Sequence, residues 1–149
     1  MNKTKSLLAA LVFASASLGS GAVFAQVDIS QPPEALELLD GSGFFGDSFA
    51  MDNMGDTFSD HFTFSVTGLP HNLDAIISSI SPTADTGLDI TGLAVYSEAG
   101  TLIANGTSLM TGVTDVWTVS TDNLALGNYY LQVSGSLVSE TSGSFGGAV

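Results

Sequence analysis

Between Phe58 and Thr67 apolar and polar residues alternate without a break in phase. Phe58, Phe62, Phe64 and Val66 fall on one side, and Ser59, His61, Thr63, Ser65 and Thr67 on the other. A period of two is that of a pleated chain, whose successive side chains point to opposite faces, and it does not fit the helical period of about 3.6. The segment is therefore a strand with one face in a core. Asp60 keeps the phase of the phenylalanines but not their chemistry, so a regular strand aims its carboxylate inward, at a high cost unless it is hydrogen-bonded or paired.

Similar short runs recur downstream, at Leu73 to Ile80, Leu88 to Tyr96, Thr101 to Ala104, Val113 to Val119 and Asn128 to Ser134, with Pro82, Gly87, Gly100, Gly106 and Gly127 between them. Strands spaced at roughly ten residues with turn formers between them are the pattern of a sandwich or barrel. Ser97-Glu98-Ala99-Gly100 reads as a hairpin turn with Gly100 free to take positive φ. Trp117, Val119, Tyr129, Leu131 and Val133 are expected to face inward from two late strands, because large aromatic and branched side chains dominate a small core. The fold class is all-β: one antiparallel β-sandwich of six to eight strands, arranged as a jelly roll.

Ahead of this domain lie two other segments. Lys3 and Lys5 precede an uncharged apolar stretch from Leu7 to Phe24, the layout of a secretory signal peptide forming a signal helix, with cleavage after Ala25. Ser15, Ser17, Gly19, Ser20 and Gly21 dilute that stretch below what a membrane anchor requires. Residues 26–42, with Pro32-Pro33 and a stretch Glu34 to Leu39 able to form a helical turn, read as a lead-in; residues 43–149 make the sandwich. The organisation is thus 1–25 signal peptide, 26–42 lead-in and 43–149 domain, exported to the cell surface, the extracellular space or the periplasm.

Electrostatics narrows the partners. Lys3 and Lys5 are the only basic residues besides two histidines, and all 15 acidic residues lie at or beyond Asp28. Once the leader is removed the chain has no lysine or arginine, so it repels phosphate and anionic lipid, which excludes ordinary nucleic-acid or membrane-surface binding. Neutral sugars, cations or a cationic protein remain. There is no cysteine, so an exported chain of this kind relies on its core and not on disulfides.

Without a basic side chain, an inward Asp60 has few partners: backbone N–H groups at a bulge or strand entry, a hydroxyl, or a bound cation. The Phe-x-Asp-x-Phe pattern at Phe58, Asp60 and Phe62 occurs also at Phe45, Asp47 and Phe49, and Gly-Asp-polar-Phe repeats at Gly46 to Phe49 and Gly55 to Phe58. Asp52, Asn53, Asp56 and Asp60 gather hard oxygen ligands in a glycine-containing segment where calcium could bind. Their spacing matches no defined calcium loop, and Asn and Asp serve equally as turn and strand-end caps.

These residues also carry a resemblance. The leader, Phe58 to Phe62 running into Thr63-Phe64-Ser65-Val66, and Leu124 to Gly135 together resemble the FxDxF family of PEP-CTERM proteins. The resemblance implies export in a Gram-negative bacterium that makes extracellular polysaccharide, and implies no catalytic activity. Such proteins continue into a Val-Pro-Glu-Pro sorting segment, which this sequence, ending at Val149, does not contain. Asp60 to Val66 and Gly127 to Val133 more loosely resemble the bacterial pre-peptidase C-terminal domain, which implies a jelly-roll-like sandwich and calcium or matrix binding.

Catalytic patterns are missing from the sequence. There is no Gly-x-Ser-x-Gly elbow, no cysteine, and no lysine beyond the leader to act as a base; His61 lies on a polar strand face and His71 in a turn, outside any metal-type spacing. Asn105-Gly106-Thr107 matches a glycosylation acceptor that bacterial export leaves idle. The expected function is that of a noncatalytic secreted or envelope-associated protein contributing to an extracellular polysaccharide matrix, its partner that polysaccharide or another envelope protein. The alternative is a calcium-dependent carbohydrate- or protein-binding module.

Overall fold

A computed structural model describes residues 25–149; the expected signal helix lies outside the described residues. Those residues contain no helix and fold into ten strands: β1 (Glu34–Ala35), β2 (Phe44–Phe49), β3 (Thr57–Val66), β4 (His71–Ile80), β5 (Leu88–Ser97), β6 (Leu102–Asn105), β7 (Thr107–Met110), β8 (Thr114–Leu124), β9 (Gly127–Leu137) and β10 (Gly143–Ala148). Two five-stranded sheets result, ordered β1-β3-β9-β5-β6 and β2-β10-β4-β8-β7. The chain crosses between the sheets at every connection except the β5–β6 and β7–β8 hairpins, while β3 pairs with β9, β4 with β8 and β5 with β9, all antiparallel. A ribbon of paired strands wrapped in this way is the jelly-roll arrangement.

The six runs read from sequence all appear as strands, each within a few residues of its expected ends. The strand count is ten, beyond the six to eight expected, because four further strands lack a strong local pattern. β7 is short and largely exposed. β10, Gly-Ser-Phe-Gly-Gly-Ala, offers Phe145 as its only large side chain. Its glycines are what admit it between β2 and β4, for a Cβ at Gly147 would stand 2.5 Å from the Ile76 carbonyl and 2.6 Å from Ile77 Cγ2. A strand of poor β propensity is thus held by what lies on either side of it.

The lead-in also differs from expectation. Glu34 and Ala35 make no helical turn; they extend beside β3 as β1, opposite Phe62 and Thr63, and Leu36 N–H donates to the Thr63 carbonyl at 2.8 Å. Six residues behind two prolines cannot support a helix nucleus, while the free edge of β3 offers hydrogen bonds at once. This pairing is parallel, so the sandwich is antiparallel everywhere but at that edge.

Between the sheets lies one core. Val95, Leu131 and Val133 are wholly enclosed, with Val119 and Tyr129 also buried as their alternation implied, and Trp117 half-buried at the margin. The turn at Ser97 closes as expected, with Gly100 N–H donating to the Ser97 carbonyl at 2.8 Å and Gly100 at φ 81°.

Candidate functional site

The two Phe-x-Asp-x-Phe units lie on different sheets, one on β2 and one on β3, and face each other across the core in opposite directions. Phe45 packs on Phe62 with ring centroids 4.9 Å apart, and Phe49 on Phe58 at 4.5 Å. Phe145 of β10 completes the group, stacked on Phe58 at 5.6 Å and edge-on to Phe62 at 6.1 Å. Antiparallel registry of identical patterns brings the central residues together as well, so the Asp47 carboxyl lies beside that of Asp60.

Asp60 is where the alternation put it, pointing inward and 2% exposed. Its Oδ1 accepts a 2.7 Å hydrogen bond from Gln31 N–H of the lead-in, while its Oδ2 is buried with no hydrogen-bond partner. Its pKa is pushed up to about 6, first of all by burial; the Gln31 N–H pulls the other way, and Asp47 and Asp28 add to the rise. Burial and the neighbouring acid both favour the neutral form of Asp60, so it holds its proton further up the acid range than an ordinary carboxyl. Asp47 Oδ1 accepts from Ser48 N–H at 2.6 Å, which fixes its orientation beside Asp60.

The lead-in is fastened to β3 by matching contacts. Asp56 Oδ1 accepts from Val27 N–H at 2.9 Å, Ser59 N–H donates to Ser30 Oγ at 2.7 Å, and Gln31 N–H reaches Asp60. Ser30 in turn donates its hydroxyl and its backbone N–H to Asp28, holding that carboxyl below the ordinary range.

The oxygen-rich segment before β3 is a turn. Asp52 adopts φ 69° and Gly55 φ 88°, Asn53 Nδ2 donates to the Ala50 carbonyl at 3.1 Å, and Asp56 is occupied by Val27. Asp52 lies on the surface whereas Asp60 lies in the core. Among the described residues no group of three or more His, Cys, Asp or Glu side chains converges as a metal would need.

A second inward acid was not singled out in the sequence. Asp115 of β8 is 2% exposed; its Oδ2 accepts from Ile90 N–H at 2.9 Å and Ser79 Oγ at 3.1 Å, and its Oδ1 from Gly112 N–H at 3.0 Å. The signal was present, since Asp115, Trp117 and Val119 share one phase just as Phe58, Asp60 and Phe62 do. Asp89 on the outer side of β5 has a buried Oδ1 without a partner, and burial, then Asp115 and Asp85, raise its pKa.

A cleft of about 460 Å³ opens at one end of the sandwich, lined by Phe64, Leu73, Leu124, His71 and Asp74 among others. No motif residue borders it, so the paired motifs act inside the sandwich and not at that opening.

No protein-family model matches the chain, and no curated protein matches it. Among solved structures, the pre-peptidase C-terminal domain of a collagenase from Bacillus anthracis is similar at 15% identity, over 83% of this chain and 95% of that one, with a TM-score of 0.41.

Proposed function

We propose that the chain is a noncatalytic exported protein that contributes to an extracellular polysaccharide matrix. The observation that supports this is the chemistry of its outer face on the first sheet. The outward residues Ser59, His61, Thr63 and Ser65 of β3 run beside Asn128, Tyr130, Gln132 and Ser134 of β9. Hydroxyls and amides on a pleated surface can both donate to and accept from a hydroxyl-rich polymer, and the absence of lysine and arginine beyond Lys5, against fifteen acids, disfavours polyanions.

Sedimentation tests the reading. Mature protein should co-pellet with neutral extracellular polysaccharide to an extent that added salt leaves unchanged, because such contacts carry no counterion release. Protein that stays in the supernatant with every polysaccharide tried would defeat it.

One observation favours the calcium-dependent module as a second reading. The buried, unpartnered Oδ2 of Asp60 beside Asp47 is an oxygen pair that a cation would relieve. Thermal melts in chelator, in calcium, and in magnesium or sodium at equal ionic strength distinguish the two, since a specific site responds to calcium alone whereas diffuse screening responds to every salt. A calcium-selective rise that disappears in Asp60→Asn would establish the site; equal responses would remove it.

A further inference from the structure

We infer that a cleft on the outer side of β5 is a subsite for one residue of a neutral sugar polymer. This rests on the matrix reading and names the place and the ligand chemistry. The cleft has a volume of about 250 Å³ and is bordered by Thr91, Ala94 and Tyr96 of β5, Gln132 of β9, Asn105 at the end of β6 and Trp117 of β8.

Local structure explains why it is hollow. Pairing of β5 with β9 shifts register between Ile90 and Gly92, and a bulge of this kind re-aims the side chains around it. The outward positions that follow carry Gly92 and Ala94, which make a low floor, while taller side chains rise on both sides. β6 ends at Asn105, and Gly106 passes so close to the Leu93 and Thr118 carbonyls that a Cβ would stand 2.5 and 2.9 Å from them. The short edge strand therefore leaves β5 uncovered at the bulge.

The walls are set in advance. Tyr96 lies directly across from Tyr130 and stacks on it at 5.3 Å and 11°, and His61 stacks on the other side of Tyr130 at 4.4 Å. The Trp117 indole N–H is tied to the Ile90 carbonyl at the bulge, 3.1 Å away, and Gln132 Nε2 donates to Ser134 Oγ at 3.2 Å. Rigid aromatic walls lose little entropy on binding.

The lining chooses the ligand. Two amides, two hydroxyls, a tyrosine and an indole line the cleft, and no carboxylate or cation does. An anion meets no counter-charge there and is repelled by the fifteen acids of the chain, and a cation finds no carboxylate ligand in the lining. A sugar ring suits it, with hydroxyls that donate and accept towards Asn105, Thr91 and Gln132 and C–H groups that rest against an aromatic wall.

Trp117, the only tryptophan of the chain, reports on occupancy by its fluorescence. Mature protein is titrated with glucan, mannan and galactan oligomers and, as the acidic counterpart, with polygalacturonate oligomers. At least one neutral series should give a saturable Trp117 change, and Asn105→Ala and Gln132→Ala should each weaken it by about tenfold, the loss of one hydrogen bond, with the melting temperature unchanged. Ser120→Ala, exposed on β8 of the other sheet and outside the cleft, should titrate like the parent. A Trp117 response to the acidic series alone, or variants that bind every neutral series like the parent, would overturn the assignment. Parent protein that pellets with polysaccharide while Trp117 stays silent would overturn the cleft and leave the matrix reading standing. Protein that is folded yet pellets with none defeats that reading as well.

Discussion

Replacing Asp60 by Asn should stabilise the fold at neutral pH and leave it unchanged in acid. Asp60 is 2% exposed, and in the fold its carboxyl keeps its proton up to about pH 6, against an ordinary 3.8. An acid whose pKa is raised by folding binds more protons folded than unfolded, so stability falls as pH rises. Below the ordinary value both states are protonated and the residue brings no penalty; the penalty accumulates up to about 6 and is constant above it. At about 1.4 kcal/mol per unit the full penalty is on the order of 2 to 3 kcal/mol. Asparagine keeps the shape, offers its carbonyl to Gln31 N–H, and brings an N–H that the Asp47 carboxylate can accept. Urea unfolding followed by Trp117 fluorescence in chelator should show the two proteins level at about pH 3 and Asp60→Asn ahead by about 2 to 3 kcal/mol at about pH 7. A gap that does not change with pH, or a parent that is the more stable at neutral pH in chelator, would refute the reasoning.

Asp115→Ala should lower stability by about 2 to 4 kcal/mol in the same assay, since it strands the buried Ile90 N–H and the part-buried Gly112 N–H and leaves the Ser79 hydroxyl only the Leu88 carbonyl; a loss below about 1 kcal/mol would mean that water reaches them. Gly135→Ala should cost about 1 to 3 kcal/mol, because a Cβ there collides with the Phe58 ring and the Asp89 carbonyl. Pairing that variant with Phe58→Leu should return part of the loss, and the absence of any recovery would contradict a clash with that ring.

Asp60 and Asp115 illustrate how far alternation carries. Both break the chemistry of an apolar phase without breaking its period, and both are buried. Phase is a local property of an extended chain and survives whatever the strand pairs with. The partners are not local. Gln31, which binds Asp60, comes from a segment whose sequence could equally have formed a helical turn, and the three donors to Asp115 come from β4, β5 and the loop before β8.

The oxygen-rich stretch Asp52, Asn53, Asp56 and Asp60 shows the reverse. Closeness in sequence grouped these residues, yet the chain turns at Asp52 and Gly55 and enters β3, leaving Asp52 on the surface and Asp60 in the core. Strand entry separates neighbours that a single loop would hold together.

By itself, then, the sequence determined the elements: which runs are strands, which face of each is apolar, that two aspartates of the Phe-x-Asp-x-Phe pattern sit on apolar phases, and that the charged surface is of one sign. Period and composition suffice for that. Tertiary structure alone decided that the two units meet across the core with Asp47 beside Asp60, that a glycine-rich tail becomes β10, and that a bulge beside a short edge strand hollows out a neutral cleft. Each of these depends on which strand lies next to or opposite which, and that is set by the wrapping of the whole ribbon, where residues far apart in sequence compete for the same neighbours.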